Sequence, residues 1–439
     1  MKRVLILAQT VFCVLVFSVF AEARADEPTI KELMREIEFL KNRVSELESK
    51  SCTHDKKIEE QDSHLQEYDK HIFHKGGVRE VFEEQGFRIG AGATFIAQGT
   101  PNANNAETRA ASRLDGSYTV DLEFEKKFGD FGLGYLLMET GQGEGLNNDL
   151  SLFSSVNVDA GDTSATPVVT KVWYEQYLSN RQITLTGGKL GASDYLDKNE
   201  YSNDETSQFL SSMFKYSPAI DMPNDTGVGL RCNASPNAFD FIDLELLWME
   251  EDADWEDMLD NPFLSAQINF MPAKAFSYDE DMFSGNYRAY LWYNGADHAE
   301  LTDVENSENG NFGFGLSCDQ KLGNVFGTFA RFGWQNPKVS DIEYHWSGGA
   351  RMTGEYWNRP EDIFAVAAGQ AVPGAEYGDA GNPHASETHV ETYYAFKLND
   401  YLTLSPDLQI IWDPNGLTES EEGDNDTIFV YGLRGQVGF

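Results

Sequence analysis

Cysteine is scarce in this chain of 439 residues, which carries only four. Cys13 lies in an apolar leader, leaving Cys52, Cys232 and Cys318, too few and too odd in number for a disulfide framework. Basic charge is also scarce. Lys and Arg number 33 against 72 Asp and Glu, a formal net charge of −39. That excludes a nucleic-acid partner, which needs a basic footprint. Beyond residue 25 no run is apolar enough, for long enough, to cross a bilayer as a helix. A membrane-spanning form of this chain therefore has to be a barrel of strands. Catalytic signatures are missing as well. There is no GxSxG elbow and no HExxH, and His298, His345, His384 and His389 are scattered. No cofactor and no metal set is expected. His71 and His74 lack further ligands. The acidic runs 250–257 and 421–427 lack EF-hand spacing and read as solvated charge.

Residues 1–25 have the layout of a secretory signal. Lys2 and Arg3 precede an apolar stretch from Val4 to Phe20, and Ala23-Arg24-Ala25 is a small-x-small cleavage site. Cleavage there removes a net charge of +2 and leaves the mature chain near −41. Residues 28–75 form the next segment. Ile30, Ile37, Val44, Ser51, Ile58, Leu65 and Ile72 fall in one heptad column, and Leu33, Leu40, Leu47, His54, Gln61 and Tyr68 in the other. The 3,4 spacing predicts an α-helical coiled coil, roughly 65 Å long at 1.5 Å per residue. Lys75-Gly76-Gly77 ends it.

From Gly86 the period of the apolar residues falls to two. Phe87, Ile89, Ala91, Ala93 and Phe95 alternate with Arg88, Gly90, Gly92 and Thr94. Tyr118, Val120, Leu122 and Phe124 alternate with Thr119, Asp121 and Glu123, and the run beginning at Gly132 returns after the turn FGDFG. Similar runs cover 168–178, 182–190, 241–249, 286–293, 311–319, 325–334, 348–354, 363–369, 389–398, 402–412 and 427–439. Soluble sandwiches alternate too. Here, however, aromatic residues crowd the strand ends, polar stretches separate the runs, and the chain closes on an alternating strand ending in Phe439. These features predict an all-β transmembrane barrel over 86–439, with about 16 antiparallel strands. Lipid offers no hydrogen bonds, so the strands must close on one another. In 402–412 the alternation runs through Pro406, whose missing donor calls for a bulge or a strand mouth.

Ordered motifs carry a family resemblance. GGKLGASDYLDKNEYSNDETSQFL (187–210) is followed by GNYRAYLWY (285–293), DQKLGNVFGTFARFGW (319–334), WSGGARMTG (346–354) and NRPEDIFAVA (358–367). ETYYAFKLNDYLTLSPDLQIIWDPNG (391–416) and VYGLRGQVGF (430–439) complete the set. The set resembles the carbohydrate-selective porins of the OprB type. The resemblance implies a 16-stranded barrel, often trimeric, and passive uptake of sugars. The coiled coil is an addition to that pattern.

Strand parity nominates lining residues. Arg288, Tyr290 and Trp292 fall opposite Tyr287, Ala289 and Leu291; Arg331 opposite Phe332; Arg351 opposite Ala350 and Met352. Glu391 and Lys397 fall opposite Tyr394 and Phe396, and Asp243 and Glu245 opposite Leu244 and Leu246. Lys189 joins them at a strand–loop junction with Asp194, Asn199 and Glu200, in a loop that folds into the pore or stays outside. Charged and aromatic side chains together match sugar hydroxyls and ring faces, and charges at a constriction set selectivity. The alternative for each is a structural ion pair in the wall.

The expectation is an outer-membrane channel, exported through the Sec pathway, for passive diffusion of small hydrophilic solutes, carbohydrates first. The expected partners are these solutes, outer-membrane lipid and further copies of the chain. Two alternatives stand beside it. The acidity favours a cation-preferring general porin, and residues 30–72 favour an envelope tether gripping peptidoglycan or a periplasmic protein.

Overall fold

Among the described residues of the computed structural model, sixteen strands follow one another. They are β1 (Phe87–Thr100), β2 (Arg113–Lys127), β3 (Gly132–Gln142), β4 (Val168–Leu178), β5 (Ile183–Leu190), β6 (Gly227–Ala234), β7 (Ile242–Glu250) and β8 (Pro262–Phe270). The second half comprises β9 (Gly285–Ala299), β10 (Ser307–Leu322), β11 (Phe326–Gln335), β12 (Ile342–Gly354), β13 (Arg359–Pro373), β14 (Glu387–Lys397), β15 (Leu402–Trp412) and β16 (Ile428–Gly438). Each pairs antiparallel with its neighbours in sequence, and β1 pairs with β16, so the sheet is a closed barrel. The structure describes residues 85–438, apart from 106–110, 160–164, 224–225 and 418–426, together with Glu38 and Lys41, which are helical. The signal, the heptad segment other than those two residues, and Phe439 lie outside the described residues.

The sides of this barrel are inverted relative to a soluble protein. Leu230, Leu246 and Leu291 point outward and are about 60% exposed (61%, 58% and 61%), while Thr94, Gln98, Glu391 and Gln409 point inward and are fully buried. Hydrocarbon accepts the first set, and a polar interior accepts the second. Outward aromatic rings gather near the strand ends. At one end Phe312 and Phe314 of β10 pack on Trp334 of β11, with ring centroids of Phe314 and Trp334 5.5 Å apart, and Phe332 of β11 packs on Tyr344 of β12. At the other end Phe128 packs on Tyr174 and Tyr394 on Phe396. That end also carries tight turns such as 323–325 and 398–401, whereas the long connections 143–167, 191–226, 374–386 and 413–427 all lie at the first end.

Pro406 needs neither a bulge nor a strand mouth. It sits mid-strand, outward, opposite Leu433 of β16. On its other side β14 and β15 keep one register, with Tyr393 against Asp407 and Phe396 against Leu404, and the two steps between them are unbridged. The ladder drops its bonds locally and resumes without a slip.

Two strands have weak sequence signals. β6 (GVGLRCNA) has Gly227 and Gly229 on its inward side and offers Leu230 as its one large outward chain. In β8, Phe263 points inward and is fully buried, which blurs the alternation of Leu264, Ala266 and Ile268.

Candidate channel lining and constriction

Loop 191–226 folds into the barrel instead of standing over it. Its sequence carries Leu196, Phe209, Leu210, Met213, Phe214 and Ile220, all at most 6% exposed. A loop in water would not keep these side chains; here they are its core against the inner wall. Phe209, Met213 and Phe214 pack with Phe329, Ala365, Ala367 and Tyr393 of β11, β13 and β14. Leu196 and Ile220 pack with Leu247, Met249, Phe263, Tyr290 and Trp292 of β7 to β9. The loop also presses close on β11. A Cβ at Gly327 would come within 2.5 Å of the Tyr201 ring, and one at Gly333 within 2.3 Å of Ser217.

Polar anchors fix its path. The Arg331 guanidinium donates to the carbonyls of Asp197 (3.2 Å), Ser202 (2.5 Å) and Phe214, and its Nε lies 3.2 Å from Asp197 Oδ2. Both side chains are wholly enclosed. Burial pushes the Asp197 carboxyl up, against the pull of Arg331 and the Ser217 N–H. Glu391 accepts from the N–H groups of Leu210 (2.6 Å) and Ser211 (3.0 Å). Arg434 Nη1 donates to the carbonyls of Glu205 and Gln208, each at 2.7 Å. Asn199 Nδ2 donates to Cys318 O at 3.0 Å, and Lys171 pairs with Asp194 at 2.7 Å.

Ser211, His389 and Glu387 form a line that resembles a nucleophile relay, with Ser211 Oγ 3.2 Å from His389 Nδ1 and His389 Nε2 2.8 Å from Glu387. Its surroundings assign it to structure. All three are fully buried, and Ser211 caps the short helix Ser212–Lys215 by accepting from Met213 N. Glu387 accepts from the N–H groups of Phe153, Ser154 and Asn415, and so ties loops 143–167 and 413–427 to the same wall.

The loop leaves part of the inward face of β2 to β7 open, although Leu247 and Met249 of β7 lie under it and Arg231 of β6 stacks over its Tyr195 ring at 4.6 Å. Asp121, Glu125, Tyr135, Glu139, Lys171, Trp173, Glu175, Arg231 and Glu245 are half-buried there, and Glu123 is exposed. Tyr135 and Trp173 stack with centroids 4.9 Å apart and planes 20° apart. Arg231 bridges Glu175 (3.3 Å) and Glu245 (2.9 Å). Asp121 and Glu139 face each other across β2 and β3.

A closed barrel with a loop folded into its bore is the architecture of a porin, and the comparisons agree. Residues 107–439 match the carbohydrate-selective porin (OprB) family. The chain belongs to that family. Its structure is similar to the high-pH structure of Pseudomonas putida OprB, with a TM-score of 0.69 at 16% identity, covering 83% of this chain and 97% of that one. The low-pH structure of the same protein gives a TM-score of 0.52 at 15% identity, covering 83% and 96%. An uncharacterized protein of Aquifex aeolicus is 26% identical over 310 residues, 68% of this chain and 84% of that protein. This OprB-family porin is thus an outer-membrane barrel for passive diffusion.

The nominated residues separate into distinct groups in this porin. Glu245 stands on the open part of the β2 to β7 wall, paired with Arg231. Arg288 also faces inward, bound to Asp319 at 2.6 Å. Arg351 stacks over the Tyr201 ring at 4.5 Å and makes no ion pair among the described residues. Lys397 lines a cavity of about 520 Å³ between the loop tip at Thr206 and the tight-turn end of β13 to β16. Asp243 accepts from Ser235 Oγ at 2.5 Å near that same end of β7. Tyr290, Trp292, Arg331 and Glu391 point inward but lie under the loop, at most 4% exposed. Lys189 is a correction. It pairs with Val172 and Val228 on the outward parity of β5, and its Nζ reaches Val169 O at 3.0 Å. The glycine pair before it carries no side chain by which to judge parity, and the lysine stem lies along the outer wall with its charge at the rim. Asp197, Arg231, Glu175, Glu387 and Arg434 carry the site and were not nominated. The apolar content of 191–226 was the available signal for the folded-in loop.

Proposed function

We propose that sugars and other small hydrophilic solutes cross this porin between loop 191–226 and the inward face of β2 to β7. The observation that carries this reading is the stacked Tyr135–Trp173 pair flanked by Lys171, Glu175 and Arg231. Rings offer a surface for the apolar faces of a sugar, and the charged neighbours offer hydrogen bonds to its hydroxyls. Arg351 supplies a further cation with donors to spare, since a stacked guanidinium keeps its edge N–H groups. No energy input is needed, because the wall replaces part of the hydration that lipid denies. Residues 1–25 direct export through the Sec pathway in this reading. Swelling of liposomes containing the protein tests it. Mono- and disaccharides must enter faster than amino acids of equal size, and equal rates defeat the sugar preference.

A second reading is a preference for cations. Asp121 opposite Glu139, with Glu123 and Glu125 on the same strand face, supports it. Zero-current potentials in a salt gradient separate the two readings.

A further inference from the structure

We propose that Glu250, Asp252 and Asp254 bind one divalent cation, Ca²⁺ by their chemistry, and that the ion clamps loop 251–261 to the end of β7. The three side chains each present a carboxylate oxygen within 4.8 Å of the others. That limit fits inside the diameter of a calcium shell, about 5 Å for ligands at 2.3–2.6 Å, and an all-carboxylate set suits Ca²⁺, which takes more protein oxygens than Mg²⁺ does. The donors are all oxygen, which selects a hard cation over zinc or copper.

Acidic residues alone would be a solvated run, which is how the sequence reads. Glu250 makes the difference. It is the last residue of β7, on the outward parity of Leu244 and Leu246, yet it is only 2% exposed. The loop turns back against the end of β6, where a Cβ at Gly227 would lie 3.1 Å from that of Ala253 and 3.5 Å from the Glu250 carbonyl oxygen. Neither carboxylate oxygen of Glu250 has a hydrogen-bond partner among the described residues. The backbone N–H groups of Val228 and Trp255 are nearby, but neither bonds with it in hydrogen-bond geometry. No Lys or Arg among the described residues pairs with it. A buried carboxylate with only two backbone N–H groups nearby and no cation, beside two more carboxylates, is unfavourable in folded protein. A divalent ion cancels the repulsion and supplies the missing partner at once. Asp252 and Asp254 are exposed, so water completes the shell from the open side.

Trp255 follows Asp254 and is 51% exposed, which gives the site an optical reporter. Full-length protein in detergent is titrated with Tb³⁺ while tryptophan is excited, and then with Ca²⁺. The proposal expects one saturable luminescent phase that Ca²⁺ displaces, with a Ca²⁺ Kd on the order of 10⁻⁴–10⁻³ M, the range of extracellular calcium modules. Glu250→Gln and Asp254→Asn each weaken that phase about tenfold or more, the scale of a lost metal-site contact. Asp281→Asn, at the tight-turn end, leaves it unchanged. A phase that survives Glu250→Gln intact, or a signal that never saturates and that Ca²⁺ does not displace, overturns the proposal. Should Glu250→Gln fail to assemble, the exposed Asp254→Asn decides by the same readout.

Discussion

The Arg331 guanidinium spans from the β11 wall to three carbonyls of one loop, and Asp197 is its only counter-charge in an ion pair among the described residues. Removing one member of such a buried pair leaves the other uncompensated and costs about 3–5 kcal/mol. Arg331→Met is therefore expected to loosen loop 191–226 while the barrel still assembles. Single-channel recording checks this, with larger and noisier current steps expected and unchanged steps counting against it. Asp159 behaves differently. Burial and the nearby Glu205 raise its carboxyl from 3.8 to about 6, with Thr119, Lys215 and Arg434 opposing. The folded state thus holds this proton more tightly than the unfolded chain. The stability that Asp159 contributes is fully present below about pH 4 and lost as pH rises through 6. Melting in detergent at pH 5 and pH 7 should show a higher midpoint at pH 5, and Asp159→Asn should narrow the gap. At this scale the sequence revealed which side a strand residue faces, but not what covers it. Tyr290 and Trp292 have the parity of lining residues, yet a loop about 70 to 100 positions earlier in sequence buries them.

Strands were largely readable because each carries its own period. Fourteen runs stood out, and the two missed strands are the ones whose sides are poorly marked: glycine-rich β6, and β8 with its inward Phe263. The Pro406 step shows how local the rule is. Flanking pairs hold the register, so one missing donor leaves two unbridged steps and nothing more. The folded-in loop was harder to read, since most of its partners lie on β7 to β14 and β16, far along the chain. Its apolar residues mark it as buried without naming the wall. Phe214→Ala, at a fully enclosed position, is expected to cost about 3–5 kcal/mol of loop packing. Limited proteolysis checks that prediction, with new cuts expected inside 191–226 and an intact strand pattern.

Across the whole molecule, a formal charge of −39 and a polar inner wall shape what passes. Charges at a constriction act through the local field, and salt screens them over about 8–10 Å. Asp121→Asn together with Glu139→Gln is expected to lower cation preference in a salt gradient while leaving sugar entry in place. An equal loss of both would tie the acidic face to the sugar path itself. The account as a whole rests on a water-filled passage beside a loop that narrows it and carries sugar contacts. Titration of a disaccharide into a planar bilayer holding a single reconstituted channel tests that claim most directly. Stepwise conductance that falls saturably as sugar is added is the result expected; a bilayer that stays insulating, or a current indifferent to sugar, would contradict it.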